Sequence, residues 1–141
     1  MFRDIFEGKK ILITGHTGFK GTWLTMWLLK LGANVIGLSK GIPTQPSMFE
    51  ELHLKDKIIH YEEDIRDLSK LQIIIVNEKP DFIFHLAAQA IVSISYSDPI
   101  ETISSNVMGT THILEALRQS NHSCTAIIIT SDKCYNNVEQ I

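Results

Sequence analysis

A glycine loop set between two different periodicities constrains this chain more than any other feature. Lys10-Ile11-Leu12-Ile13-Thr14 is a short apolar run of the kind that forms a buried parallel strand, and it ends on Gly15. Beyond the loop, Phe19, Trp23, Trp27 and Leu31 recur at every fourth residue, with Leu24 and Leu28 beside them. That spacing predicts one face of a helix, which stops at Gly32. Between strand and helix lies Thr14-Gly15-His16-Thr17-Gly18-Phe19-Lys20-Gly21. Gly15 suits the tight turn out of the strand, Gly18 a close backbone approach by a pyrophosphate, and Gly21 close packing of the helix on the strand. The free amides and positive dipole end of the helix face the same space. The spacing GxxGxxG is one residue longer than the usual GxGxxG, and no Gly-Lys-Ser/Thr follows. A dinucleotide therefore fits better than a nucleoside triphosphate.

The rest of the chain repeats the alternation. Apolar runs predict strands at 34–38, 57–61, 81–86 and 126–130. Helices are predicted near 48–54, over 67–78 with Asp67 as N-cap, and over 99–119 with Pro99 in its first turn. Residues 40–47, with two prolines and a glycine, form a loop. The expected fold class is α/β: a Rossmann-like doubly wound parallel sheet of about five strands with right-handed crossovers.

Composition narrows the function classes. Hydrophobic residues at 44% and charged residues at 21% are ordinary for a globular chain of 141 residues. A net charge of −3 without a long basic run argues against a nucleic-acid surface. The N-terminus lacks an apolar signal core, and the most apolar helix carries Lys30 and is too short to span a bilayer. Cys124 and Cys134 lack CxxC spacing, and none of the six histidines has metal-ligand spacing. A reduced, cytoplasmic protein with no metal and no membrane partner is expected.

One part of a dinucleotide site departs from the usual pattern. About 20 residues past the loop, where Asp or Glu normally meets the ribose hydroxyls, this chain has Ser39 and Lys40. Ser39 suits a ribose hydroxyl and Lys40 suits a 2′-phosphate, so NAD and NADP both remain open.

Five stretches now carry a resemblance: the loop at 14–21, Asp64-Ile65-Arg66-Asp67, His85-Leu86-Ala87-Ala88-Gln89, Asn106-Val107-Met108-Gly109-Thr110, and Thr130-Ser131-Asp132-Lys133-Cys134-Tyr135. In this order, over nearly the whole chain, they resemble the extended short-chain dehydrogenase/reductase superfamily. GHTGFKG, PTQPSMFE, SYSDP followed by Glu101-Thr102, and TSDKCY are similar to the CDP-glucose 4,6-dehydratases within it. The resemblance implies NAD held by Gly15, Thr17, Gly18, Phe19, Lys20 and Gly21, with Ser39 near the ribose. Asp64 and Ile65 would meet the adenine, and Ala87, Ala88 and Gln89 the pyrophosphate and nicotinamide ribose. Asn106 would fix the helix near the active site, and Thr130 would flank the cofactor.

The implied chemistry is an internal redox cycle on CDP-glucose. Hydride leaves C4 of the hexose, water is eliminated across C5 and C6, and hydride returns to C6. The resemblance assigns Ser131 to the C4 oxygen, Asp132 to protonation of the leaving hydroxyl and Lys133 to the C5 proton. Relatives carry a Tyr-x-x-x-Lys pair that would fall past Ile141, and arginine near Ser93-Ile94-Ser95. This chain alone is thus expected to lack turnover and the substrate domain, and to assemble as a homo-oligomer, with the fifth strand as an open edge. A sugar epimerase, a GDP-mannose dehydratase and a non-catalytic dinucleotide-binding module are the alternatives.

Overall fold

A computed structural model describes residues 4–131 and 134. Asp132, Lys133 and Tyr135, three of the residues in the last motif, lie outside the described residues. Five strands form one parallel sheet: β1 (Lys10–Thr14), β2 (Asn34–Ser39), β3 (Ile59–Glu62), β4 (Phe82–His85) and β5 (Thr125–Ile128). Their spatial order is β3-β2-β1-β4-β5, so the chain reverses its direction of travel between β1 and β4. Ligands of open parallel sheets bind at such a reversal, beyond the carboxyl ends of the strands.

Helices cover both faces. On one side α1 (Phe19–Lys30) packs Leu28 against Ile11, Ile13 and Val35. On the other, α3 (Leu68–Glu78) and α6 (Gly109–Gln119) bury Leu71, Ile75, Ile113 and Ala116 over Leu12, Ile36 and Ile83. β1 is central, and Ile11, Leu12 and Ile13 are wholly buried from both sides. Its run of consecutive apolar residues without alternation follows from that position.

Several expectations hold in detail. Asp67 caps α3 by accepting from the Lys70 amide at 3.1 Å. Pro99 opens α5 (Pro99–Ile103), where Asp98 accepts from the Glu101 amide at 3.0 Å. Others are corrected. The strand expected at 57–61 begins at Ile59, because Leu54–Lys57 makes a 3-10 turn that buries Leu54. The strand expected at 126–130 is Thr125–Ile128, which leaves Thr130 in the loop beyond it. A short α2 (Met48–Glu51) and an unforeseen α4 (Val92–Ser97) are present. The helix expected over 99–119 is interrupted by a π turn at Ser104–Met108.

The largest correction concerns α1. Its i, i+4 stripe of Phe19, Trp23 and Trp27 lies on the outer side, with Phe19 76% exposed and Trp23 54% exposed. The face against the sheet is Gly21, Thr22, Thr25 and Leu28. Small residues win that face because the first turn of α1 lies too close to the loop for large ones. A Cβ on Gly21 would fall 2.7 Å from the His16 Cα.

Candidate functional site

The parallel sheet brings the ends of β1, β2, β3 and β4 to one edge, and the glycine loop spans it. Gly15 leaves β1 with φ +75°, and a Cβ there would fall 2.8 Å from the Ala87 amide nitrogen. Gly15 and Gly21 are thus required by the protein's own packing. Gly18 is different: a Cβ there would meet only the Gly15 carbonyl oxygen, at 3.4 Å. Gly18 is the N-cap of α1 and offers no side-chain cap, and the first turn carries no acidic residue. The amides of that turn have no acceptor within the helix. This is an open cradle of backbone donors at a positive helix end, which fits a pyrophosphate.

The loop is anchored from beneath by His16. Its ring is fully buried, with Nδ1 2.9 Å from Ser39 Oγ and Nε2 2.8 Å from His60 Nδ1, and it stacks edge-on to Phe49. Burial, with the neighbouring His60, pushes the His16 pKa down to about 4. Thr22 Oγ1 donates to the His16 carbonyl at 3.0 Å, and Thr17 Oγ1 donates to the Gly41 carbonyl at 2.7 Å. Ser39 takes part in the same anchor. It is 5% exposed and its hydroxyl is engaged with His16, so it braces the loop. Lys40, Phe19 and Lys20 are the exposed side chains around the cradle.

A second chain of hydrogen bonds shapes the turn after β4. Thr110 Oγ1 donates to the Asn106 carbonyl at 2.7 Å, so it accepts from His85 Nε2 at 3.0 Å. His85 Nδ1 then accepts from Thr14 Oγ1 at 2.7 Å, and Thr14 Oγ1 accepts from the Ala87 amide at 3.2 Å. The acceptor role of Nδ1 requires a neutral His85, whose pKa burial lowers. Asn106, on the π turn, clamps Gln89: its Oδ1 accepts from the Gln89 amide at 2.7 Å and its Nδ2 donates to the Gln89 carbonyl at 2.9 Å. The Asn106 side chain is thereby committed to the backbone of the turn. Ala87, Ala88 and Gln89 are held at the reversal point beside Gly15.

At the β3 end, Arg66 donates to both carboxylate oxygens of Asp64 and holds its pKa below the usual range. Ile65 is 7% exposed and belongs to the core, where a Cβ on Gly109 would lie 2.8 Å from its Cγ1. The Ile65 side chain is thus part of the core packing. Beyond β5, Thr130 and Ser131 are exposed, and the Ser131 carbonyl accepts from the Cys134 amide at 3.3 Å. Among the described residues no group of three His, Cys, Asp or Glu side chains forms a metal site, and no helix is long and apolar enough to cross a membrane.

His60 enters this edge without any sequence signal, and Thr14, Thr110 and Glu101 stand inside the quoted motifs with no role of their own assigned there, since each acts on a residue distant in the chain.

The sequence profile of the GDP-mannose 4,6 dehydratase family matches residues 12–141. The chain belongs to that family. Among its relatives is the CDP-glucose 4,6-dehydratase of Salmonella typhimurium, 48% identical over 139 residues, which are 99% of this chain and 39% of that protein. A GDP-mannose 4,6-dehydratase of Vibrio cholerae is 37% identical over 117 residues, 78% of this chain and 31% of that protein. A solved UDP-glucose 4-epimerase of Thermus thermophilus in complex with NAD superposes with a TM-score of 0.71 at 27% identity, over 80% of this chain and 35% of that one. The chain thus spans well under half the length of these relatives. The family places the sheet among the Rossmann folds of nucleotide-sugar dehydratases and epimerases, and Gly15–Gly21 falls within the matched stretch.

Proposed function

We propose that residues 1–141 are the dinucleotide-binding part of a nucleotide-sugar 4,6-dehydratase that uses NAD and acts on CDP-glucose. The observation that carries this reading is the open space above Gly18, the loop glycine that internal packing does not demand. Around it the loop is held rigid by His16 and Thr22, and the Ala87–Gln89 turn is fixed by His85 and Asn106. A bound nicotinamide dinucleotide would supply the hydride acceptor at C4 and the donor at C6.

The chain's own residues supply the rest. The amides of Phe19, Lys20 and Gly21 bind the pyrophosphate, and Ala87 and Ala88, small and at the reversal point, leave room for the nicotinamide ribose. Ser131, just past the β5 end, bonds the C4 oxygen as charge develops there. Asp132 delivers a proton to the C6 hydroxyl as it leaves, and Lys133 takes the C5 proton. The CDP-glucose assignment draws on the 48% identity to the Salmonella enzyme and on the Ser131-Asp132-Lys133 stretch, which resembles the CDP-glucose version of the motif.

Two measurements test the reading. Gly18→Ala is expected to keep the fold while lowering dinucleotide affinity by tenfold or more; equal affinity would exclude a pyrophosphate at the loop. Mass spectrometry of CDP-glucose treated with the natural protein is expected to show loss of one water. An isomer of unchanged mass would point to an epimerase, and binding without any product to a non-catalytic module.

A further inference from the structure

The ends of β2 and β3 are where a dinucleotide fold separates a ribose hydroxyl from a 2′-phosphate. This chain places two cations there, Lys40 and Arg66, and by themselves they favour the phosphate. Neither acts by itself. Glu101, in the first turn of α5, sets one carboxylate oxygen 2.8 Å from Lys40 Nζ and the other against Arg66 Nη1. Ser105 Oγ donates to the first oxygen at 3.1 Å, and Ser104 Oγ lies 3.4 Å from the same Arg66 nitrogen. The opposite side of Arg66 is filled by Asp64, to which Nη2 donates at 2.6 Å. Two cations and two carboxylates close on one another and leave no net charge.

The position of this cluster is fixed. Asp98 accepts from the Glu101 amide at 3.0 Å, which ties the base of the Glu101 side chain to the start of α5. Thr17 Oγ1 bonds the Gly41 carbonyl, which keeps Lys40 next to the glycine loop. We propose that Glu101 sets the choice of dinucleotide: by holding Lys40 and Arg66 it withholds both cations from a 2′-phosphate, so the site takes NAD and refuses NADP. A phosphate dianion entering here must either displace the carboxylate or lie beside it, and like-charge proximity opposes both. A neutral 2′-hydroxyl meets no such opposition. Glu101 is a positioning residue in this scheme, since it acts through the two cations. The inference rests on the dinucleotide reading above.

The test is titration of the natural protein with NAD and with NADP, followed by calorimetry or tryptophan fluorescence. The wild type is expected to bind NAD at least tenfold more tightly than NADP. Glu101→Gln keeps the shape and removes one negative charge. It is expected to raise the NADP-to-NAD affinity ratio by about tenfold, the worth of one charge-assisted hydrogen bond. Added salt should erode that gain, and a Lys40→Met, Glu101→Gln double variant should lose most of it. Exposed ion pairs contribute little to folding, so the variant should melt near the wild type. A ratio unchanged in folded Glu101→Gln overturns the proposal. So does a wild type that prefers NADP, a result that needs no variant at all. A wild type that binds neither nucleotide overturns the dinucleotide reading instead.

Discussion

His16 lies directly on Gly37. A Cβ at residue 37 would fall within 2.6 Å of three atoms of the imidazole ring, so the side chain that anchors the glycine loop occupies the space that any larger residue in the middle of β2 would need. The loop and the strand beside it are therefore one unit of packing.

That contact predicts a coupling. Gly37→Ala must push the ring off Ser39 and His60, and overpacking of this kind costs about 1–3 kcal/mol. In a His16→Ala background the space exists already, and Gly37→Ala should cost much less. Urea unfolding of the four proteins of this cycle measures the difference. Additive effects would mean that the ring is displaced without cost.

Stability should depend on pH through the buried histidines. His16 titrates at about 4 in the fold and near 6.5 when unfolded, and His60 and His85 are lowered in the same direction. The unfolded chain then binds more protons between those values. The stabilisation is complete above pH 6.5 and is lost as pH falls toward 4, with a slope of up to about 1.4 kcal/mol per pH unit for each histidine. His16→Gln should flatten the profile in that window. An identical profile in the variant would remove His16 as its source.

Asn106→Ala should uncouple the Ala87–Gln89 turn. It leaves the Gln89 amide and carbonyl without partners, at a cost of about 1–3 kcal/mol. Dinucleotide affinity should fall with it. Asn106→Asp keeps the acceptor and loses the donor, so it should lie between the two. Thermal melting paired with NAD titration checks both effects, and unchanged affinity in a destabilised Asn106→Ala would separate the turn from the ligand.

Thr25→Val should be neutral or stabilising, by up to about 1 kcal/mol. Thr25 is fully buried on the inner face of α1, and its hydroxyl has no hydrogen-bond partner among the described residues. An isosteric methyl removes an unpaired polar group without changing volume. A clear loss of stability would reveal a partner for the hydroxyl.

What could be read from the sequence is what neighbours in the chain decide. The apolar run of β1, the Gly15 turn, the Asp67 cap and Pro99 all act within a few residues of themselves, so strand–helix alternation and the doubly wound class followed from local signals. The 3.6-residue period also revealed α1 as a helix. It did not reveal which side faces inward, because a stripe of Phe19, Trp23 and Trp27 and a patch of Gly21, Thr22 and Thr25 have the same period. Only the closeness of α1 to the loop, where no Cβ fits at Gly21, chose the small residues. The same limit applies at the site. The glycines announced a phosphate cradle, but the direction of the Ser39 hydroxyl depends on His16, and the charge at Lys40 and Arg66 depends on Glu101. These partners lie far apart in the chain and meet because a parallel sheet gathers the ends of its strands at one edge. Side-chain pairing across that edge is a product of the tertiary fold, because no residue can be paired with a partner dozens of positions away until the sheet has brought the two together.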